Sequence, residues 1–259
     1  LWWCPTGLLT LLPLHAAGYP DPADTPAGRT VLDRVVSSYT PTLRALARAR
    51  KADAPATADR RLLAVSLPEP PPGGVALSPL PGARAEAAFF ERAMPGSHTL
   101  RVGDAATHAT VTADLRTHAY AHFACHGSQD VNDPSTGALY LWDKPLTVLD
   151  VAELDLAHAE LAYLSACHTA VGGATLPDEA IHLAAALQLA GYRHVIATLW
   201  TVGDRTAVDV ATSVYTSLVD GAGLDLADTA HVLHRTVRAL RDADPRDPTR
   251  WAPYIHSGA

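Results

Sequence analysis

Short runs of apolar, β-branched and aromatic residues alternate with stretches of helical periodicity along most of this chain. The strand-like runs cover residues 30–36, 61–67, 98–102, 119–125, 161–165 and 194–200. Helical patterns cover residues 41–52, 81–94, 105–115, 178–190, 205–219 and 225–243, and a tail follows. Within 81–94, the apolar residues at helical spacing are Ala85, Ala88, Phe89 and Ala93. Because a helix between two strands provides a parallel crossover, this alternation predicts an α/β fold: a mainly parallel sheet with helices on both faces.

The composition fits one large α/β domain or two small ones. The 259 residues are 48% hydrophobic, which is enough for a sizeable buried core. A segment at 68–74 that is rich in Pro and Gly is interpreted as a surface loop, because only two strand patterns are complete before it. The 20 basic and 27 acidic side chains give a net charge of −7 without any basic run, so we expect no nucleic-acid partner.

Cysteine usage and the N-terminal sequence bear on location. Cys4, Cys125 and Cys167 show no CxxC spacing, which argues against a disulfide framework and favours a reducing, cytoplasmic compartment. The apolar stretch at 7–14 is too short to cross a bilayer, so we expect no membrane association. The apolar start at Leu1 suggests that this chain is the C-terminal part of a longer protein.

Two reactive residues stand where an apolar run gives way to small and polar residues. His126 follows the run at 119–125, and Cys167 follows the run at 161–165 after one alanine. Catalytic groups of open α/β sheets lie at such strand ends. Since a thiol becomes an efficient nucleophile when an imidazole takes its proton, His126 and Cys167 on neighbouring strands form a candidate catalytic dyad.

The histidines around this dyad could suggest a metal site. His118, His122 and His126 share one face of a strand, but at about 3.3 Å per residue the outer two lie roughly 26 Å apart, too far to share one ion. We therefore expect no metal and place His118 and His122 at a sheet edge or in the core. Cys125 points to the opposite face and is expected to be buried. No nucleotide-binding glycine string occurs, so we expect no cofactor.

Three strings carry a specific resemblance to a known family. They are HFACHG at 122–127, LSACHT at 164–169 and AGYRHVIATLWTVGD at 190–204. Their order and spacing resemble the CHAT domain, a group of caspase-like cysteine peptidases related to separase, and the similarity covers nearly the whole chain. The resemblance implies one caspase-like peptidase domain over 1–259, with a pseudo-peptidase-like half at about 1–95 and a catalytic half at about 96–259. Such domains commonly follow sensor or helical-repeat regions, so we expect an upstream region or a partner protein to control activity.

The resemblance also implies roles for individual residues. His126 is the general base, Cys167 is the nucleophile, and the backbone N–H groups of Gly127 and Cys167 form the oxyanion hole. His168, directly after the nucleophile, is expected to tune its pKa or to line the substrate cleft. Asp204 matches the aspartate of the separase string LWDVTD that lies in a pocket for arginine, so cleavage after a basic residue is expected. The alternative is that Asp204 caps the helix that follows it.

One departure from the family concerns the loop after the nucleophile. The family shows Gly-Glu-Gly where this chain has residues 178–180, Asp-Glu-Ala, which bears on the conformation of the loop and not on the dyad. We expect a cysteine endopeptidase that acts on a protein or peptide substrate, as the effector of a sensor or defence-type protein. Two other functions stay open: an inert caspase-like scaffold, and a thioester or acyl hydrolase that uses the same dyad.

Overall fold

The computed structural model describes residues 1–6, 9–10, 12–18, 30–51, 59–72, 77–128, 137–165, 179–221 and 223–259. The strands in these ranges are β1 (Trp2–Trp3), β2 (Ser38–Tyr39), β3 (Asp59–Ser66), β4 (His98–Val102), β5 (His118–Ala124), β6 (Gly127–Ser128), β7 (Ala138–Leu139), β8 (Leu146–Thr147), β9 (Leu161–Leu164), β10 (His194–Thr198), β11 (Val219–Asp220), β12 (Gly223–Leu224) and β13 (Tyr254–Gly258). The helices are α1 (Val31–Arg34), α2 (Leu43–Lys51), α3 (Pro81–Ala93), α4 (His108–Leu115), α5 (Val148–Ala152), α6 (Glu179–Ala190), α7 (Asp204–Leu218), α8 (Thr229–Ala243) and α9 (Pro248–Trp251).

An eight-stranded sheet forms the centre of the molecule. Its strand order is β1-β2-β13-β10-β9-β5-β3-β4. The block from β10 to β4 is parallel throughout. β13 runs antiparallel to β10, and β2 and β1 continue in the direction of β13. The prediction of a mainly parallel sheet is therefore confirmed, with one reversal that the sequence pattern does not show.

Helices cover both faces of the sheet, as predicted. Val111 of α4, Val151 of α5 and Leu187 of α6 belong to the apolar cluster on one face. Phe90 of α3 and Val214 of α7 belong to the cluster on the other face. Each such side chain stabilises the fold by about 1.5–3 kcal/mol when it leaves water. Because both faces are covered, β5 and β9 are buried along their whole length, and all their residues except the two histidines of β5 are apolar.

The strand predicted at 30–36 is wrong, because this segment begins with the short helix α1. Thr30 precedes the helix, and its Oγ1–H donates to Asp33 Oδ2 at 2.6 Å. The backbone N–H of Thr30 points to the same carboxylate oxygen. A Thr and an acidic residue three positions apart form a capping box, which favours the start of a helix over an extended chain.

The tail after residue 243 contains a strand that the sequence pattern does not reveal. β13 pairs with β10 over five positions, from Tyr254 opposite Thr198 to Gly258 opposite His194. Its sequence, YIHSG, holds a buried histidine and serine in place of an apolar run. Polar residues at buried positions hide a strand from any analysis of hydrophobic periodicity.

The remaining helix predictions are confirmed with shifts at their ends. The pattern at 105–115 divides into a 3₁₀ turn, Gly103–Ala105, and the helix α4. Thr107 caps the start of α4, because its side chain accepts the Thr110 N–H. The helix predicted at 225–243 begins only at Thr229. None of the helices in the described ranges combines the length and the hydropathy that crossing a membrane requires.

Candidate active site at the strand ends

The two strands that lead to the predicted dyad are neighbours. β5 and β9 pair in parallel, with Phe123 opposite Leu164, and the Ser165 N–H extends the pairing by donating to the Phe123 carbonyl at 2.9 Å. β10 pairs with β9 on its other side, as predicted. Parallel strands end at the same edge of a sheet, so the residues after β5, β9 and β10 emerge together there.

His126 lies directly after β5 and is held at both its backbone and its ring. Its carbonyl accepts the Tyr140 N–H at 2.8 Å, which starts the small antiparallel sheet β6-β7-β8. Its ring is only 3% exposed, and Nε2 lies 2.7 Å from the Ser78 carbonyl oxygen. Since a carbonyl oxygen can only accept, Nε2 carries the hydrogen and donates it. The other ring nitrogen, Nδ1, is then the basic one.

The side chains next to His126 occupy the positions that the strand period predicts. Cys125 is buried in the apolar cluster on the opposite face, together with Phe123 and Leu164. His118 is a core residue whose Nε2 lies 2.9 Å from Thr99 Oγ1. Its Nδ1 lies 2.9 Å from the Asp114 carbonyl and donates to it. The predicted core role of His118 is therefore confirmed.

His122 is also a core residue, and it meets a charged partner that sequence reasoning missed. Its Nε2 lies 2.6 Å from Glu86 Oε2, and its Nδ1 lies 3.3 Å from the Tyr215 hydroxyl. The Ser165 hydroxyl donates to the other oxygen of the same carboxylate, Oε1, at 2.7 Å. We call Glu86, His122, Ser165 and Tyr215 the Glu86 cluster.

Glu86 was missed because the apolar spacing in α3 marks the wrong face. The positions that the spacing singled out include Ala85, which is exposed. The face that packs on the sheet is instead Gly82, Ala83, Glu86, Ala87 and Phe90. A glutamate among small residues resembles the solvent side of a helix. The signal that could have found it is Phe90, one helical turn further along the same face.

Asp204 holds the start of α3. It is the first residue of α7, and its Oδ2 accepts the Gly82 N–H at 2.7 Å. Because Gly203 occupies the N-cap of α7 and the described bond of Asp204 goes to α3, the alternative that Asp204 caps its own helix is wrong. A Cβ at position 82 would lie 2.5 Å from Asp204 Oδ1, so a larger residue there would require this carboxylate to move. α3 begins three residues after Ser78, whose carbonyl oxygen accepts the His126 ring N–H.

Other residues of the predicted site lie outside the described residues. These are Cys167 and His168, with most of the two loops at 128–137 and 168–177. Gly127, whose N–H is expected to form part of the oxyanion hole, lies within the described residues. It is buried and begins β6 opposite Leu139.

A family model of the CHAT domain matches residues 1–259, the whole chain. This chain belongs to the CHAT domain family. A search of curated protein sequences finds no match to it.

Several solved structures share the fold. The Porphyromonas gingivalis RgpB complex of pro- and mature domains is 11% identical, with a TM-score of 0.58, over 87% of this chain and 55% of that one. The Arg-specific cysteine proteinase gingipain R is 10% identical, with a TM-score of 0.57, over 86% and 53%. Separase in the Saccharomyces cerevisiae separase–securin complex is 12% identical, with a TM-score of 0.59, over 96% and 14%. This CHAT domain thus has the caspase-like fold and spans about half of the gingipain chains.

Proposed function

We propose that this CHAT domain is a cysteine endopeptidase in which Cys167 is the nucleophile and His126 the general base. The observation that carries the proposal is the placement of His126. Its buried ring follows β5, donates from Nε2 to the Ser78 carbonyl, and lies beside the strand that leads to Cys167. A base whose second nitrogen is oriented by a fixed acceptor is the arrangement that nucleophilic catalysis requires.

The reaction then proceeds by acyl transfer. His126 Nδ1 takes the thiol proton while Cys167 Sγ bonds to the carbonyl carbon of the scissile peptide. The C–N bond breaks, the imidazolium gives its proton to the leaving amine, and a thioester remains on Cys167. A water molecule, deprotonated by His126, attacks the thioester and releases the acid and the thiol. The N–H groups of Gly127 and Cys167 stabilise the oxyanion of both steps, at roughly 3 kcal/mol for each donor.

The substrate class in this proposal is a protein or peptide with a basic residue on the acyl side of the scissile bond. Asp204 is half-buried, and its carboxylate uses one acceptor position for the Gly82 N–H. Since a carboxylate offers about four such positions, Asp204 can hold the start of α3 and also receive a guanidinium. Gingipain R, which shares the fold, is described as Arg specific. His168 lines the cleft beside this pocket in the same proposal.

The proposed setting is the cytoplasm, with an upstream sensor region or a partner protein that controls the catalytic loops. Both loops are rich in small and polar residues, so a coupling energy of about 1–3 kcal/mol is enough to change their population. The test compares cleavage by this chain alone with cleavage by a protein that also carries the proposed sensor region, or by this chain together with the proposed partner. Equal rates would rule out this control.

The peptidase itself is tested with a peptide library and three proteins: the parent, Cys167→Ala and Cys4→Ser. Cys4 is an exposed cysteine far along the chain from the site, and its replacement controls for the loss of a reactive thiol. We expect cleavage by the parent and by Cys4→Ser, and none by Cys167→Ala. Turnover by Cys167→Ala would exclude the nucleophile. A parent that cleaves only thioesters would be an acyl hydrolase, and one with an unreactive Cys167 would be a scaffold.

A further inference from the structure

A single buried carboxylate bridges the two strands that supply the proposed dyad. Glu86 is 3% exposed, and its two oxygens point to different strands. Oε2 meets His122 in β5, four residues before His126. Oε1 accepts the hydroxyl of Ser165, which follows β9 and precedes Cys167 by two positions. The side chains of Ser165 and His122 therefore meet on the face of the sheet that α3 covers.

The surroundings of the Glu86 carboxylate fix this arrangement. The ring of His122 stacks on Tyr163 with 5.1 Å between ring centres, and its Nδ1 faces the Tyr215 hydroxyl. Burial raises the pKa of both tyrosines well above its usual value, and the nearby Glu86 charge raises it further, so both stay neutral. His122 is the basic group that directly faces Glu86 within the described part of the cluster.

A buried polar contact contributes little to net stability, because both groups lose their hydration. It does define geometry, since each partner must stay where the other can satisfy it. The Glu86 cluster lies below the strand ends where the chemistry is proposed, and a displacement of about 1 Å there is enough to lower turnover 100-fold. We therefore expect the Glu86 cluster to affect the positions of the two strand ends more than the free energy of unfolding.

We infer that Glu86 is a positioning residue that holds the ends of β5 and β9 together, and with them the base and the nucleophile. The inference rests on the proposed peptidase function. Glu86 does not touch the substrate and acts through Ser165 and His122.

The chain contains a matched control for this inference. Ser66 ends β3, is 2% exposed, and donates through Oγ to the Ala83 carbonyl of α3 at 2.9 Å. Ser165 likewise follows a strand, is buried, and donates to a residue of α3. Ser66→Ala and Ser165→Ala thus remove equally buried hydroxyl groups that bond to one helix. Only Ser165 belongs to a strand that leads to a dyad residue.

The experiment measures kcat, KM and the melting temperature of the parent, Ser165→Ala, Ser66→Ala, Glu86→Gln and Glu86→Leu. We expect similar melting temperatures for the two serine variants, but a kcat about 10- to 100-fold lower for Ser165→Ala alone, with KM unchanged. Glu86→Gln keeps an acceptor for Ser165 and retains most of kcat, whereas Glu86→Leu loses it. If Glu86→Leu does not fold, the serine pair and Glu86→Gln still decide the question.

Two results would overturn the inference: full kcat in Ser165→Ala, or equal losses of kcat in Ser165→Ala and Ser66→Ala. Hydrogen exchange separates this failure from a failure of the proposed function. We expect faster exchange at 161–165 and 118–126 in Ser165→Ala, and not in Ser66→Ala. If the parent cleaves no peptide but these segments exchange faster in Ser165→Ala, Glu86 does link the strands and the proposed peptidase function is wrong. If exchange is unchanged, the link is absent.

Discussion

Two buried polar clusters that contain histidines lie in the same sheet, and they differ in the partners that the histidines have. In the Glu86 cluster, His122 faces a carboxylate. Toward the other edge of the sheet, His194 Nδ1 lies 3.0 Å from His256 Nε2, and His256 Nδ1 lies 2.8 Å from Ser38 Oγ. We call His194, His256 and Ser38 the neutral histidine chain, because none of their hydrogen-bond partners among the described residues is an acid.

The contrast follows from what each group has to hold. The neutral histidine chain links β10, β13 and β2, where the sheet reverses direction, and each ring satisfies its neighbour with a hydrogen bond between neutral groups. Burial lowers the pKa of His194 to about 4, and the charge of Arg193 lowers it further. Burial, with His194 nearby, lowers the pKa of His256 well below its usual value. A histidine facing a carboxylate is thus found under the proposed dyad, and neutral rings are found at the sheet junction.

The largest effect on stability is expected from His122→Leu, which leaves the Glu86 carboxylate buried without its partner. A carboxylate left buried without its partner costs more than the roughly 1–3 kcal/mol of an unsatisfied neutral group. His256→Leu leaves only neutral groups unsatisfied, at about 1–3 kcal/mol. Urea unfolding of both variants measures the difference. The double variant His122→Leu/Glu86→Leu is expected to recover much of the loss, and equal costs for the two single variants would remove the distinction between the clusters.

The next effect is a loss of stability as the pH falls from 6.5 to 4. The unfolded chain binds protons at its histidines near pH 6.5, whereas the folded chain keeps His194 neutral down to about pH 4 and His256 to lower pH. The stabilisation is therefore complete above pH 6.5 and is lost through this window, by about 3 kcal/mol for His194 alone.

Unfolding free energies measured between pH 7 and pH 4 test this prediction. Asp33 does not contribute to this change. Burial raises the pKa of its carboxyl group, but the hydrogen bonds from Arg241 and Thr30 lower it to about 2, so Asp33 affects the unfolding free energy only below pH 3.8. His194→Gln should flatten the curve between pH 6.5 and 4. A parent whose stability is constant across that range would show that the neutral histidine chain is not buried as described.

The smallest effect on stability is expected at Asp204, whose known bond is to one backbone N–H. Asp204→Ala is expected to cost about 1 kcal/mol, as for other helix caps, whereas Asp204→Asn keeps the acceptor and costs less. Asp204→Asn should nevertheless lose the preference for a basic residue before the scissile bond. A cleavage profile of both variants and the parent measures this, and an unchanged basic preference in Asp204→Asn would exclude the pocket.

The sequence predicts the features that depend on local patterns. Apolar runs identified β5, β9 and β10 to within two residues at each end, and their alternation with helices predicted their parallel pairing. The period of a strand placed Cys125 in the core and on the other face from His126. These predictions succeed because burial on both faces leaves a continuous apolar signal.

The features that the sequence does not predict depend on distant partners. Glu86 meets Ser165 across 79 positions, and Asp204 meets Gly82 across 122 positions. Each is a polar residue in a helix, which by itself indicates solvent exposure. Only the packing of α3 on the sheet and on α7 turns these polar residues inward, and no local pattern records that packing.

The position of β13 also sets the order in which this molecule can be completed on the ribosome. In the sheet, β13 lies between β10 and β2, so the pair of β1 and β2 joins the parallel block through it. Residues 38–39 leave the ribosome well before residues 254–258. At roughly 5–20 residues per second, about 10–40 s of translation separate them. The edge of β2 that faces β13 is open throughout that time. β10 is made about 56 residues before β13, so its edge is open for roughly 3–11 s. Both edges are then accessible to chaperones and to other nascent chains.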